Sequence, residues 1–382
     1  MSKKKHRKKH KRPFIKPIDK KTTVVETPKP AASKPVEATK PEIKPVPVAP
    51  PKPVAPKATS SKLTTQKLAT PKSMASKSAA PKTLGDRFEN YLLLMRVDRP
   101  IGILLLLWPT YWALWLAAGG VPSAKNLLIF AWGCILMRSA GCVMNDYADR
   151  HIDGKVTRTK DRMIVAGKVS SKEAFLLFSA LCVISFALVC LTNQLTIMLS
   201  VGGLLLAAIY PFSKRYTHLP QVVLGMAFAW SIPMAWAAQH IAADNSTDLK
   251  SVLEAKMWLI YLAVVIWAVI YDTFYAMVDR DDDIKIGVKS TAILFGDADK
   301  AITGLLQGLM IFTLILIGRK FGLGFCYYGS LAIASALFIY QQRLIKDRNR
   351  DLCFKAFLNN NYVGLVIFIG IVVDYYFKNP WW

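Results

Sequence analysis

The sequence predicts an all-α membrane protein of about nine transmembrane helices, residues 85–382, preceded by a disordered basic tail, residues 1–84. Two observations predict it. The 382-residue chain is 53% hydrophobic yet carries a formal net charge of +25, values that rarely coexist in one soluble domain. The charge is also unevenly placed: residues 1–84 hold 22 Lys/Arg against four acids, a net of +18, which leaves +7 for the other 298 residues.

The tail opens with a basic run from Lys3 to Arg12 and holds 14 of the 21 prolines. Such a segment cannot bury enough apolar surface to offset the entropy of ordering, so it reads as disordered. It has no uninterrupted apolar stretch followed by a small-residue cleavage site, which excludes a signal peptide. One reading is a solvated extension with no specific partner; the other is contact with the membrane lipid, whose anionic headgroups its cations suit at roughly 1 kcal/mol each when well placed. Phosphate contact is open to any polybasic segment, but no specific nucleic acid is expected as a partner.

Apolar stretches long enough to span a bilayer recur at 101–118, 126–144, 174–191, 195–212, 221–239, 257–278, 301–318, 321–340 and 360–377. A soluble reading fails, because nine such segments leave little polar surface. The loops give the orientation. With the tail inside, loops 145–172, 213–220, 279–300 and 341–358 carry 18 Lys/Arg, against six on the other side. The expectation is an integral membrane protein, in a bacterial inner membrane, with its N-terminus on the cytoplasmic side and Trp381 and Trp382 outside. The six cysteines show no CxxC or metal-ligand spacing and are read as small apolar residues.

The chemistry gathers at two predicted cytoplasmic helix ends. At the end of the second helix stand Asn145, Asp146, Asp149 and Asp153; at the end of the sixth stand Asp272, Tyr275, Asp279 and Asp283. On a helix, Asn145, Asp149 and Asp153 are spaced i, i+4, i+8, and the second set i, i+3, i+7, i+11, so each set lies along one face. The segment Asp149-Arg150-x-x-Asp153-x-Lys155 matches Asp279-Arg280-x-x-Asp283-x-Lys285, which suggests two facing half-sites. One such cluster would be explained as a solvated helix end paired with its own Arg or Lys. Two matched clusters at one end of the membrane need an external cation. All-oxygen ligands suit Mg²⁺ whose coordination substrate phosphates complete. A calcium loop starting at Asp279 fails, since Ile284 stands where that loop needs Gly and Ser290 where it needs Glu. Cations lie on the same side: Lys214 after Tyr210 at the end of the fourth helix, and Arg158 and Arg162 in the loop after the first cluster. Acids and cations together suit a metal-bound diphosphate. The positive-inside bias accounts for most of these cations, and Lys214 stands out by its position at a helix end.

Four segments resemble a known family. They are Arg96-Val97-Asp98-Arg99-Pro100-Ile101-Gly102, Arg138 with Asn145-Asp146-Tyr147-Ala148-Asp149-Arg150, Tyr210-Pro211-Phe212-Ser213-Lys214-Arg215, and the run from Asp272 to Asp283. With these, residues 85–382 resemble the 4-hydroxybenzoate polyprenyltransferases of the UbiA superfamily. The resemblance implies a nine-helix fold around a central cavity, Mg²⁺ on the two Asp-rich motifs (Asn145, Asp146, Asp149, Asp153, Asp279 and Asp283), and a polyprenyl chain leaving laterally into lipid. It implies transfer of a polyprenyl group from polyprenyl diphosphate to the ring carbon ortho to the hydroxyl of 4-hydroxybenzoate, a step of ubiquinone biosynthesis. Asp149, Asp279, Lys214 and Asp272 are the expected catalytic set. Arg138, Asn145, Tyr210, Lys214, Arg158, Arg162, Tyr275 and Arg96 are the expected substrate contacts. The tail has no counterpart in the typical member, and Met163 stands where the family usually has proline. Other branches of the superfamily would share the metal motifs and use another acceptor. A cation-coupled transporter would also place acids in the membrane, but leaves the Lys/Arg set unexplained.

Arg138 lies seven residues before Asn145, about 10.5 Å deeper at 1.5 Å per residue. An arginine at that depth must face a partner rather than lipid. It is expected to hold the acceptor's carboxylate, with Asp272 orienting the guanidinium or touching the acceptor; the alternative is a structural Arg138–Asp272 ion pair.

Overall fold

A computed structural model describes residues 83–155, 159–244 and 252–378; the tail up to residue 82, Arg158, Trp381 and Trp382 lie outside the described residues. Within them the chain is helical. Helix α1 (Leu84–Met95) begins on a capping box, Thr83 with Asp86, and stops at Arg96, whose φ of 57° turns the chain towards α2 (Ile101–Ala118). Then follow α3 (Ala124–Asp149), α4 (Ser171–Val189), α5 (Gln194–Ser213), α6 (Pro220–Ala229), α7 (Ser231–Asp244) and α8 (Ala255–Ile286). The short α9 (Thr291–Phe295) leads to α10 (Asp299–Lys320), α11 (Phe325–Leu344) and α12 (Arg350–Lys378).

Among the described residues, eight stretches are long and apolar enough to cross a membrane: α2, α3, α4, α5, 220–241 within α6–α7, α8, 291–320 across α9 and α10, and α12. These match eight of the nine predicted spans. The remaining one is α11, a 20-residue helix that ends in Gln341, Gln342 and Arg343 and so falls below the same apolar standard. The predicted span 221–239 is broken at Trp230. Pro233 has no N–H to offer the carbonyl of Ala229, four residues back, and α6 ends there. Ser231 instead donates its hydroxyl to Phe228 O at 3.0 Å.

Helix α8 is the centre of the bundle: 67% of its spanning window is buried, against 11% for α5. Trp267 of α8 stacks on Trp112 of α2 at 5.5 Å and donates to Asn360 of α12 at 2.9 Å. Trp108 donates to Asn361 at 2.8 Å. Gly364 makes room for this aromatic layer, since a Cβ there would lie 2.7 Å from the Trp267 ring and 2.8 Å from Trp108. Amide side chains knit the last helices: Gln307 donates to Gln341 at 3.1 Å and Gln341 to Asn359 at 2.9 Å. In hydrocarbon such bonds contribute about 0.6 kcal/mol each.

At 32 residues α8 is about 48 Å long, well beyond a hydrocarbon core of about 30 Å. That length allows its charged last turns, carrying Asp279 to Asp283, to reach beyond the hydrocarbon. The starts of α6, α9 and α12 meet it there, and the ends of α3 and α5 face it across a pocket. Lys289 N donates to Lys214 O at 3.3 Å, and Thr291 N to the Gln221 side chain at 3.0 Å.

Candidate active site

Helix α3 stops at Asp149, one residue after Ala148, whose carbonyl accepts from the Arg215 guanidinium. Arg150 folds back to donate to Tyr147 O at 2.7 Å. These donors satisfy the orphan carbonyls of the helix end. Asp153 is consequently not on the helix that the i+8 spacing assumed: it opens a 3-10 turn, Asp153–Lys155. Its carboxylate still faces the same pocket as Asn145 and Asp149.

That pocket, of 160 Å³, brings together most of the expected site. Asn145, Asp149 and Asp153 come from the first motif, Asp272, Tyr275, Asp279 and Asp283 from α8, Tyr210 and Lys214 from α5, and Arg162 from the loop after α3. Lys214 is the residue that ends α5, and its ammonium pairs with Asp149 Oδ2. The other oxygen, Oδ1, is buried with no hydrogen-bond partner, on a residue of 0% exposure. A buried acceptor left unmatched costs about 1–3 kcal/mol, and more when charged. One turn before Lys214, Tyr210 donates to Asn145 Oδ1 at 3.4 Å.

Asp146 behaves differently from its neighbours. Its carboxylate is held by Arg96 at 2.8 Å and Arg162 at 3.0 Å, and it does not line the pocket. Arg162 continues to Asp153 at 2.6 Å, so one chain of ion pairs joins the α1–α2 link to the turn after α3. Burial pushes the Asp153 carboxyl above its ordinary range; Arg162 opposes this, while Asp149 and Asp146 add to it.

The donors fit a hard cation by chemistry, since all are oxygens and one buried oxygen waits for a partner. Among the described residues no three His, Cys, Asp or Glu side chains converge as tightly as an all-protein cage requires.

Asn145, Arg162, Tyr210, Asp272 and Tyr275 also line a second cavity of 330 Å³, which runs between α2, α3, α6, α8 and α12. Arg96 and Arg138 belong to this one. The Arg138 guanidinium lies 5.6 Å from the Phe228 ring centre and against Gly102, where any side chain would collide with it. Among the described residues no ion pair joins Arg138 to Asp272, although both face the cavity. A third cavity, of 230 Å³ and almost wholly apolar, lies between α3, α4, α5, α6 and α7 and meets the others at Arg138 and Tyr210.

Two features escape the sequence reading. Arg350, at the start of α12, pairs with Asp281 at 3.1 Å and Asp282 at 3.4 Å, on the side of α8 away from the pocket, and also lines the 330 Å³ cavity. Phe228 stands at the junction of the 330 and 230 Å³ cavities. The available signal was negative: Asp281 falls off the face shared by Asp279 and Asp283, while Asp282, three residues after Asp279, gives no such sign.

Residues 106–366 match the UbiA prenyltransferase family. The chain is 57% identical over 293 residues to the 4-hydroxybenzoate octaprenyltransferase of Saccharophagus degradans, covering 77% of this chain and 95% of that one. It is 58% identical to the 4-hydroxybenzoate octaprenyltransferase of Aeromonas hydrophila over 76% of this chain and 98% of that one. Among solved structures, a UbiA homolog from Aeropyrum pernix K1 superposes with a TM-score of 0.64 at 28% identity, covering 71% of this chain and 97% of that one.

Proposed function

The chain belongs to the UbiA prenyltransferase family, and from that premise we propose that it moves a polyprenyl group from polyprenyl diphosphate to the ring carbon ortho to the hydroxyl of 4-hydroxybenzoate. This is a step of ubiquinone biosynthesis. The observation that carries the reading is the buried, unmatched Asp149 oxygen beside Lys214, in a pocket that opens past Tyr210 and Asp272 into the cavity of Arg138.

Asn145, Asp149, Asp153, Asp279 and Asp283 would hold Mg²⁺, while Asp146, already taken by two arginines, would anchor the motif. Bound there, Mg²⁺ supplies charge neutralisation to the departing diphosphate. Lys214 and Arg162, which line the same pocket, bind the diphosphate oxygens, and Arg158 is assigned to them from the sequence alone. Tyr210 and Tyr275 line the pocket where the allylic C–O bond breaks, and the separate apolar cavity that Tyr210 also lines shields the carbocation from water. The isoprene units find matching chemistry in the apolar cavity beside Tyr210. Arg138 takes the acceptor carboxylate by a charge-assisted bond, with Arg96 further out in the same cavity, and Asp272 orients the guanidinium or touches the acceptor. The positive-inside bias puts this end, and the N-terminus, on the cytoplasmic face of a bacterial inner membrane. The tail would rest on anionic headgroups.

The test is purified protein with labelled polyprenyl diphosphate and 4-hydroxybenzoate. A prenylated acid should form, vanish with EDTA and return with Mg²⁺. Asp149→Ala or Asp279→Ala should lower turnover by at least about 100-fold, the scale of lost transition-state electrostatics. Near-normal turnover in metal-free buffer would count against the metal site, and no transfer to this acceptor would count against the substrate.

A further inference from the structure

Asp299 is a fully buried carboxylate outside the pocket, and the chemistry above does not use it. It opens α10 and gathers three cationic or polar partners. Arg348, from the link between α11 and α12, donates to its two oxygens at 2.8 and 2.9 Å. Lys300 N donates at 2.7 Å. Arg280 of α8 approaches at 3.6 Å. Removing a carboxylate from water is expensive, even where its arginine partners stay partly exposed, and well-packed apolar residues often serve stability equally well. A structural staple between α10 and the α11–α12 link would need only Arg348. It would not need Arg280.

Arg280 is the residue immediately after Asp279. In the matching position of the first motif, Arg150 folds back onto its own helix, donating to Tyr147 O and stacking over the Tyr147 ring at 4.4 Å. Arg280 instead leaves its helix for Asp299. On the next two positions Arg350 takes Asp281 and Asp282. Three consecutive side chains after Asp279 are thus drawn away from the pocket by partners on other elements. A helix end held in this way has one rotation, the one that turns positions 279 and 283 to the pocket. The first motif is braced in the same manner, by Arg96 and Arg162 on Asp146.

We propose that Asp299 is a positioning residue which, through Arg280, fixes the rotation of the α8 end so that Asp279 and Asp283 present their carboxylates to a divalent cation. This rests on the reading that the pocket binds such a cation. Loss of an outer partner of a metal ligand typically weakens metal affinity by 10- to 100-fold.

The experiment is Mn²⁺ binding to the full-length protein in detergent, followed by electron paramagnetic resonance without substrate or turnover. Arg280→Gln removes the α8 side of the link while leaving the Asp299–Arg348 pair in place, so the fold keeps its staple. It should weaken Mn²⁺ by about tenfold or more. Asp299→Asn should do the same, and the double variant should be no worse than the stronger single, because the two act through one link. Asp297→Asn, a fully exposed acid 3.7 Å from Arg348, should bind as the parent does. Unchanged affinity in Arg280→Gln would overturn the proposal, as would additive losses in the double variant. A lower melting temperature in Asp299→Asn with parental affinity would show a staple only. If the parent binds no Mn²⁺ even after inorganic diphosphate is added to complete the coordination, it is the cation reading of the pocket that fails, and this inference with it.

Discussion

Arg138 and Asp149 show how differently two buried charges can be held. Asp149 has a cation on one oxygen and nothing on the other, while Arg138 has an aromatic ring and no carboxylate partner among the described residues. Arg138→Ala removes a cation–π contact of about 0.5–2 kcal/mol together with the attraction of Arg138 for the buried Asp272, so some thermal stability should be lost. It should raise the acceptor KM at least tenfold and leave the donor KM near its parental value. A stability loss large enough to explain the lost activity, or an unchanged acceptor KM, would refute the assignment. Arg138 was legible in the sequence because depth follows from the helical rise and depth alone demands a partner. Asp146 was not. Nothing local separates it from Asp149; its direction is set by Arg96, fifty residues earlier, and by Arg162 in a loop.

Element ends tell a similar story. Helix α8 runs to Ile286, beyond the apolar stretch that announced it, because the Asp-rich turns continue the helix once Arg280, Asp281 and Asp282 have partners. Helix α3 stops four residues short of Asp153, where donors from α5 and from Arg150 close its carbonyls. Apolar length gives the spans well, but their polar ends depend on contacts that cross the bundle. The interior contacts are equally exacting. In Gly364→Ala the new methyl meets Trp108 and Trp267 rings rather than flexible side chains. It should destabilise the protein by about 1–3 kcal/mol, the usual range for overpacking. Thermal denaturation in detergent measures this, and a melting temperature equal to the parent's would show that α12 simply shifts.

At the scale of the whole molecule, the split in charge separates a tail from a membrane domain, and the eight strongly apolar stretches fall where composition placed them. The convergence of three distant segments at one end was legible only as a topological inference: helices of odd and even rank alternate, so matched motifs must share a side. The division of labour predicts that deleting residues 2–80 leaves turnover in detergent within about twofold, since no expected site residue lies there. The isolated tail should bind anionic vesicles at low salt and release as ionic strength rises. A well-folded deletion that loses turnover would show instead that the tail takes part in the reaction.

The unmatched oxygen of Asp149 also makes stability a function of solution composition. A fold that leaves a buried carboxylate half-satisfied is at its weakest when its pocket is empty, so whatever fills the pocket becomes a thermodynamic component of the folded state. Stabilisation then grows as RT ln(1 + [L]/Kd), about 2.7 kcal/mol at a hundredfold excess over Kd. Differential scanning fluorimetry with Mg²⁺ and inorganic diphosphate should show a melting temperature that climbs with their concentration and falls back with EDTA. In Asp149→Ala the climb should be lost. Under the proposed function, the lifetime of the protein in the bilayer should follow the supply of its substrate: starved of diphosphate, the same chain should be the more readily unfolded one.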